Sequence, residues 1–423
     1  MSRQFSESSA LSMLGRRIED PPIAWLMRIA LERPELISLA AGFTDNASLP
    51  VSETRLIVDG LLKKRSVGAP ALQYGPNAGD PELIQFTAGR TVELDGAGNP
   101  SGLARRTLMT HGSQQLIYLL SEALLDEGDI VLLEDPSYFV YFGITQSKGV
   151  QCRGVAMDDE GVNLEALEQR LKELKKSGEI RRLKLFYMVT YFQNPSGVTT
   201  TLERKREVLR LIRSYESAAG HPIHILEDAA YRELGFSGKS VPTSLTLDGA
   251  DDRVIYTSTY SKPFATGIRA GFGIMPAKLL PILSNLKGNH DFGTANLVQQ
   301  ILKTALKTGV YQEHVARVRK RYESKSRVMV KAIRESFPDW VDWQVPDGGL
   351  YVWASLRKSM NTGMKSKFFQ RAMDAGVLYV PGQLCYADDP TRPRPTHQMR
   401  LSYGAASANA IREGISRIGK LLG

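Results

Sequence analysis

Residues 183–228, LKLFYMVTYFQNPSGVTTTLERKREVLRLIRSYESAAGHPIHILED, read as a strand, a loop, a helix and a second strand. The run from Leu183 to Val189 is apolar at nearly every position and gives way to Gln193-Asn194-Pro195-Ser196-Gly197, whose proline and glycine suit a turn. Thr200-Thr201-Leu202-Glu203 then reads as a capping box, and Val208, Leu209, Leu211 and Ile212 recur at helical spacing behind it. A second apolar run, Ile223 to Leu226, ends at Glu227-Asp228-Ala229-Ala230-Tyr231.

The same alternation extends to both sides of this unit. Leu108 to Thr110, Ile130 to Leu133, Val254 to Thr257 and Gly271 to Met275 are short apolar runs separated by helix-period segments. That order predicts an α/β protein with a mostly parallel sheet covered by helices. At 423 residues the chain has room for a large domain and a smaller one. Residues 1 to about 50 hold one amphipathic segment, Ile23 to Leu31, and a Gly/Asn/Pro-rich stretch ending at Pro50. From about residue 312 a long charged helix precedes strand-like pieces at Tyr351 to Ala354, Val377 to Val380 and Met399 to Ser402. The two ends are expected to pack together as a small α+β domain, which divides the chain at 1–50, 51–310 and 311–423. Ala387 to His397, ADDPTRPRPTH, is the expected mobile loop.

Hydrophobic content of 42% and charged content of 23% are ordinary for a globular protein in water. No apolar run reaches the roughly 20 residues that span a bilayer, and MSRQFSESSALSMLGRR lacks the organisation of a secretion signal, so the cytoplasm is expected. The two cysteines, Cys152 and Cys385, have no ligand spacing, and of the six histidines the nearest pair, His221 and His224, flanks a proline at the start of a strand. No metal is expected. The net charge of +9 is densest from Arg317 to Arg327, RVRKRYESKSR, which at helical spacing reads as a solvated helix face without base-reading architecture. No nucleic-acid partner follows, and the basic excess suits an anionic cofactor and carboxylate substrates.

In open α/β sheets ligands sit beyond the carboxyl ends of the strands. After the first run comes His111-Gly112-Ser113-Gln114-Gln115, opening a helix whose free N–H groups, hydroxyl and positive dipole end suit a phosphate. After the second, Glu134-Asp135-Pro136-Ser137-Tyr138 places an aromatic ring at the sheet edge. The next two strand ends supply the amide of Asn194, the carboxylate of Asp228 and the phenol of Tyr231. The last piece, Ser258 to Gly271, STYSKPFATGIRAG, sets Lys262 directly after a strand, where a neighbouring cation favours attack on an aldehyde, with Thr259, Ser261 and Arg269 beside the same phosphate. Each piece alone is an ordinary turn, cap or surface charge. Together they are what a pyridine-phosphate cofactor needs.

LQYGPNAGDPEL, HGSQQ, LLEDPSY, FQNPSGV, ILEDAAY, SKPFATGIRAGF, DGGLYVW, VPGQLCY and MRLSYG, in this order, resemble fold-type I aminotransferases of class I/II, nearest to the aminoadipate/kynurenine and MocR-like group. The resemblance covers nearly the whole chain and implies a sheet of the seven-stranded type, pyridoxal 5′-phosphate as cofactor, and a homodimer. It implies Lys262 as the Schiff-base lysine that moves the proton, Asp228 against the pyridine nitrogen, Tyr231 and Asn194 on the ring oxygen, and Tyr138 stacked on the ring. Gly112, Ser113, Gln114, Thr259, Ser261 and Arg269 would hold the phosphate, joined by Tyr74 from the second subunit. Arg400 would grip the substrate α-carboxylate bidentately, with Gly42 and Asn194 beside it.

Three departures bear on substrate choice: Ala229-Ala230 where kin often read Asp-Pro, Tyr260 before Ser261-Lys262 in place of phenylalanine, and Thr266 in place of a proline. Ungapped alignment back from Gly42 puts Trp25 where relatives that take long dicarboxylates can use an arginine, with Arg28 three positions on. An indole offers apolar area and no positive charge, so the expected reaction moves the amino group of an aromatic or large apolar L-amino acid to a 2-oxo acid such as 2-oxoglutarate. The same fold also hosts β-lyases and decarboxylases. A non-catalytic PLP- or effector-sensing domain, as MocR-like proteins carry behind a winged helix, is the third reading, but the aminotransferase-like region starts almost at residue 20 and leaves no room for the DNA-reading part.

Overall fold

The computed structural model describes residues 10–20, 22–40, 42–238 and 240–423. Met1 to Ser9, most of the stretch read for a secretion signal, lies outside the described residues. Among the described residues eight strands form the large sheet in the spatial order Thr107–Thr110, Gly271–Ile274, Val254–Thr259, His224–Asp228, Leu183–Val189, Ile130–Asp135, Gln151–Asp158 and Gly161–Val162. The five strands from Val254–Thr259 to Gln151–Asp158 pair in parallel, whereas Gly271–Ile274 is antiparallel to both neighbours. The six apolar runs read from sequence are six of these strands, because both faces of each are covered: every residue of Thr107–Thr110 and Gly271–Ile274 is buried. Gln151–Asp158 and the two-residue Gly161–Val162 escaped that reading. Helix Leu202–Ser214 begins where expected, but its cap is Thr201, whose side chain accepts from Arg204 N at 3.2 Å, one residue later than the expected capping box.

A smaller antiparallel sheet runs Asp342–Trp343, Tyr351–Ser355, Gln398–Ser402, Val380–Pro381. Its register sets Trp353 opposite Arg400. The two chain ends meet where Ile37–Ser38 pairs in parallel with Val377–Leu378 and Ser402 N donates to Leu39 O at 2.7 Å. Helix Val310–Ser336 packs against helix Ala408–Leu422, burying Val315, Val318, Tyr322, Ser326, Met329 and Ile333 at three- and four-residue spacing.

Two expectations need correction. The Arg317 to Arg327 stretch is not simply a solvated face. Arg319 Nε donates to Glu233 O at 2.7 Å, and buried Lys325 donates to Gly404 O at 2.9 Å and pairs with Asp45 at 2.7 Å, where Arg321 also pairs. Residues 387–397 have no regular structure, as expected, yet the loop is fastened. Buried Asp389 accepts from Gly154 N at 3.1 Å and Arg170 Nη2 at 3.2 Å, and Arg392 pairs with Asp135. Among the described residues no helix is long and apolar enough to cross a membrane.

Candidate active site

The carboxyl ends of the parallel strands open into a cavity of about 480 Å³, roofed by the Gly42–Phe43 segment and by Tyr351 and Arg400 of the small sheet. Of the residues expected from sequence, Gly42, Ser113, Gln114, Tyr138, Asn194, Asp228, Tyr231, Thr259, Ser261, Lys262, Arg269 and Arg400 all line it. The strand ends bring them together, since neighbouring parallel strands finish in register at Val189 and Asp228.

At one end helix Gly112–Leu124 points its N-terminus into the cavity. Gly112 has φ +71°, and a Cβ there would lie 2.8 Å from an Arg269 guanidinium nitrogen, so the glycine lets the cation close over the helix start. Gly271 does the same on the facing strand, where a Cβ would sit 2.5 Å from Ser113 N. Arg269 itself adopts φ +47° and donates to Ser261 Oγ at 3.2 Å. Thr259 plays a supporting part: its hydroxyl donates to Ala270 O at 3.0 Å and accepts from Ser261 N at 3.1 Å. Free helix N–H groups with a cation beside them make an anion site.

At the centre Lys262 Nζ donates to Gly42 O at 2.7 Å. Desolvation in the cavity, then the positive charges of Arg400 and Arg269, draw its pKa down to about 8. Asp228 lies buried, accepting from Tyr187 OH at 2.9 Å and Ala230 N at 3.2 Å; burial raises its carboxyl to about 6 despite both bonds. Beside it Glu134, fully buried, is raised to about 7 by desolvation and accepts from Val189 N at 2.9 Å and Gln193 Nε2 at 2.8 Å.

At the far end Arg400 is 1% exposed. Its Nη1 donates to Asn194 Oδ1 and its Nη2 to Ala40 O, both at 2.7 Å, while Nε has no partner in the protein. Two of five N–H donors are thereby committed, and the rest remain for a carboxylate.

Three expected residues stand apart. Trp25 does not line the cavity: its ring packs 6.1 Å from that of Phe369, and Met27 of the same helix is the lining residue, while Arg28 is exposed. Gly112 contributes from beneath Arg269 without lining the cavity. Tyr74 is 80% exposed and packs against Phe292, 74% exposed, with ring centroids 5.8 Å apart. Sequence reasoning missed Phe43, Phe139, Val140 and Tyr351. Phe139 and Val140 directly follow Tyr138, a signal that was available; Tyr351 stood in the DGGLYVW stretch and in an apolar strand, neither of which says that its side chain faces the cavity.

The donor set fits a pyridine-phosphate aldehyde. It offers an anion site at one end, a buried carboxylate for a protonated ring nitrogen, a phenol and an amide for a ring oxygen, and an amine of depressed pKa for the aldehyde carbon.

The profile of the family described as aminotransferase class I and II matches residues 35–418. An uncharacterised aminotransferase of Saccharolobus solfataricus is 32% identical over 92% of this chain and 92% of its own length. Aromatic-amino-acid aminotransferase 1 of Thermococcus litoralis is 31% identical over 99% of this chain and 94% of its own. Among solved structures, the α-aminoadipate aminotransferase of Thermus thermophilus in complex with N-(5′-phosphopyridoxyl)-L-leucine matches with a TM-score of 0.84 at 30% identity, over 99% of this chain and 98% of that one.

Proposed function

The chain belongs to the class I and II aminotransferase family, and within it we propose that its amino donors are L-amino acids with aromatic or large apolar side chains and its acceptor a 2-oxo acid such as 2-oxoglutarate. The enzyme depends on pyridoxal 5′-phosphate. When bound, that cofactor supplies an electrophilic carbon for the amino group and a ring that accepts the electron pair released at the substrate Cα.

The residues of the cavity divide the remaining work. Ser113, Gln114, Ser261 and Arg269 would hold the phosphate, and Tyr138 would cover the ring. Asp228, buried and fixed by Tyr187 and Ala230 N, would keep the ring nitrogen protonated. Lys262 would hold the aldehyde carbon and then, with a pKa near 8, take and return the proton at Cα. Arg400 would orient the α-carboxylate through the donors that Asn194 and Ala40 leave free. Tyr231 and Asn194 would bind the ring oxygen.

One observation carries the side-chain preference. Among the described residues that line the cavity the cations are Lys262, Arg269 and Arg400, and each already has a task. None is left for a distal carboxylate, whereas Met27, Phe43 and Val140 add apolar surface. The acceptor 2-oxoglutarate rests on the family likeness alone, since its second carboxylate meets the same lack. Exposed Tyr74 and Phe292 support a homodimer in which Tyr74 reaches the neighbouring site, and two free buried thiols support a cytoplasmic setting. Half-reactions of the PLP form with phenylalanine, tyrosine, kynurenine, leucine and 2-aminoadipate test the reading. Phenylalanine or leucine should exceed 2-aminoadipate by about tenfold or more in specificity constant, because an unpaired buried charge is costly. A preference for 2-aminoadipate, lost in Arg28→Ala, would overturn it.

A further inference from the structure

Tyr351 lines the cavity against Arg400, Tyr231 and Gly42 while holding no assigned role itself. It opens strand Tyr351–Ser355 and is 2% exposed. The Arg400 guanidinium carbon lies 4.2 Å from the centroid of its ring, closer than the 5.5 Å to Phe139. Its hydroxyl lies 2.9 Å from the hydroxyl of Tyr231, the two rings meeting edge-on at 80°. A Cβ on Gly42 would come within 2.8 Å of that same oxygen, so the phenol abuts the backbone whose carbonyl holds Lys262.

The two contacts do different things. An aromatic face attracts a guanidinium without consuming any of its in-plane N–H donors, which fixes the plane of Arg400 and leaves its edge free for a carboxylate. A hydroxyl that donates to the Tyr231 oxygen leaves the Tyr231 proton to be given elsewhere. Around Tyr231 stand Tyr351, Tyr138, Arg400 and Lys262, the last with Nζ 5.9 Å from the ring centroid. Of these, Tyr351 is the one hydrogen-bonded to the Tyr231 hydroxyl.

We infer that Tyr351 is a positioning residue linking the two halves of the site: its ring orients Arg400 toward the substrate carboxylate, and its hydroxyl directs the Tyr231 proton toward the cofactor. This rests on the roles given above to Arg400 and Tyr231. Tyr351→Phe separates the two effects, because it keeps the ring and removes the hydroxyl.

Two measurements on the PLP-loaded enzyme read them independently. One is the pH midpoint of the visible absorbance change; the other is the dissociation constant of 3-phenylpropionate, a carboxylate without an amino group. In Tyr351→Phe the midpoint should rise by about half a pH unit, since Tyr231 becomes a poorer donor to the negative oxygen it faces and the nitrogen linking Lys262 to the cofactor keeps its proton longer. The dissociation constant should stay within about twofold. Tyr351→Leu should show the same midpoint shift and a dissociation constant raised about tenfold. Tyr351→Met replaces it if the leucine variant does not fold, as judged by circular dichroism.

A wild-type midpoint in Tyr351→Phe, or a wild-type dissociation constant in the ring-less variant, overturns the inference. So does an equal loss of 3-phenylpropionate binding in both variants, which would assign that effect to the hydroxyl. Arg400→Lys serves as the control. If it binds 3-phenylpropionate as tightly as wild type, the Arg400 assignment itself fails. If it binds weakly while the Tyr351 variants behave as wild type, only the present inference fails.

Discussion

Lys262 is placed where its positive charge is disfavoured. With a pKa near 8 its amine becomes neutral well below the range of a solvated lysine. The rate at which apoenzyme takes up PLP should therefore rise with pH and level off above about 8, followed as the growth of visible absorbance. A rate still climbing at about pH 10, the solvated-lysine value, would contradict that environment. Lys262→Ala should abolish transamination yet bind PLP noncovalently through Ser113 and Arg269. Borohydride reduction of the wild-type holoenzyme should label the peptide that contains Lys262, and a label on another lysine would end the assignment. Asp228→Ala should lower kcat by about a hundredfold or more while PLP still binds, because an unprotonated ring nitrogen is a poor electron sink. A loss below about tenfold would move the role elsewhere. Asp135, another carboxylate at a strand end, is a weak alternative, since it pairs with Arg392 and does not line the cavity.

Helix Val310–Ser336 holds the roof of the cavity through Asp45. Tyr322 OH accepts from Asp45 N at 3.1 Å, and Arg321 and Lys325 both pair with the Asp45 carboxylate, in the segment that brings Gly42 and Phe43 to the site. Desolvation pushes the Asp45 carboxyl up, but the bonds from Arg321 and Lys325 outweigh it and leave the pKa lowered. A carboxylate whose folded pKa is depressed stabilises the fold above its unfolded value, about 3.9, and loses that contribution as pH falls through the folded value. Asp45→Asn should therefore melt below wild type at neutral pH and converge with it in strong acid. Its KM for amino donors should rise several-fold, because Gly42 is less well fixed. Equal melting temperatures at pH 7 would remove the helix from that role. The strands were legible in the sequence where both faces are buried. Gln151–Asp158 was not, because Arg153 and Gly154 interrupt its apolar run, and Arg153 is nonetheless buried beside Gln151. Trp25 and Met27 differ by two helical positions, about 200° of rotation, so the helix that turns Met27 toward the cavity turns Trp25 away from it. The residues that close strands were found from order alone, whereas Tyr351 became visible only when the small sheet folded over the large one.

For the whole molecule, Tyr74 and Phe292 pose the question of assembly. If Tyr74 serves the neighbouring subunit, a hybrid of Tyr74→Ala and Lys262→Ala chains contains one intact site and one doubly altered site. Mixing the two inactive or weakened proteins under conditions that exchange subunits should then restore activity, toward about half of wild type per hybrid dimer. No recovery in hybrids verified by mass would place Tyr74 in its own subunit's site or outside any site. The pairing of Ile37–Ser38 with Val377–Leu378 also matters before any dimer exists. On the ribosome Ile37–Ser38 emerges long before its strand partner Val377–Leu378 and the Ser402 N–H that binds Leu39 O. The large sheet, complete by Ile274, has all its strands while the residues around Gly42 still wait. A nascent chain that stops between Ile274 and Val377 thus carries Lys262 and Asp228 but neither the pairing strand nor Arg400, so the carboxylate contact proposed for Arg400 has no donor until that residue has been made.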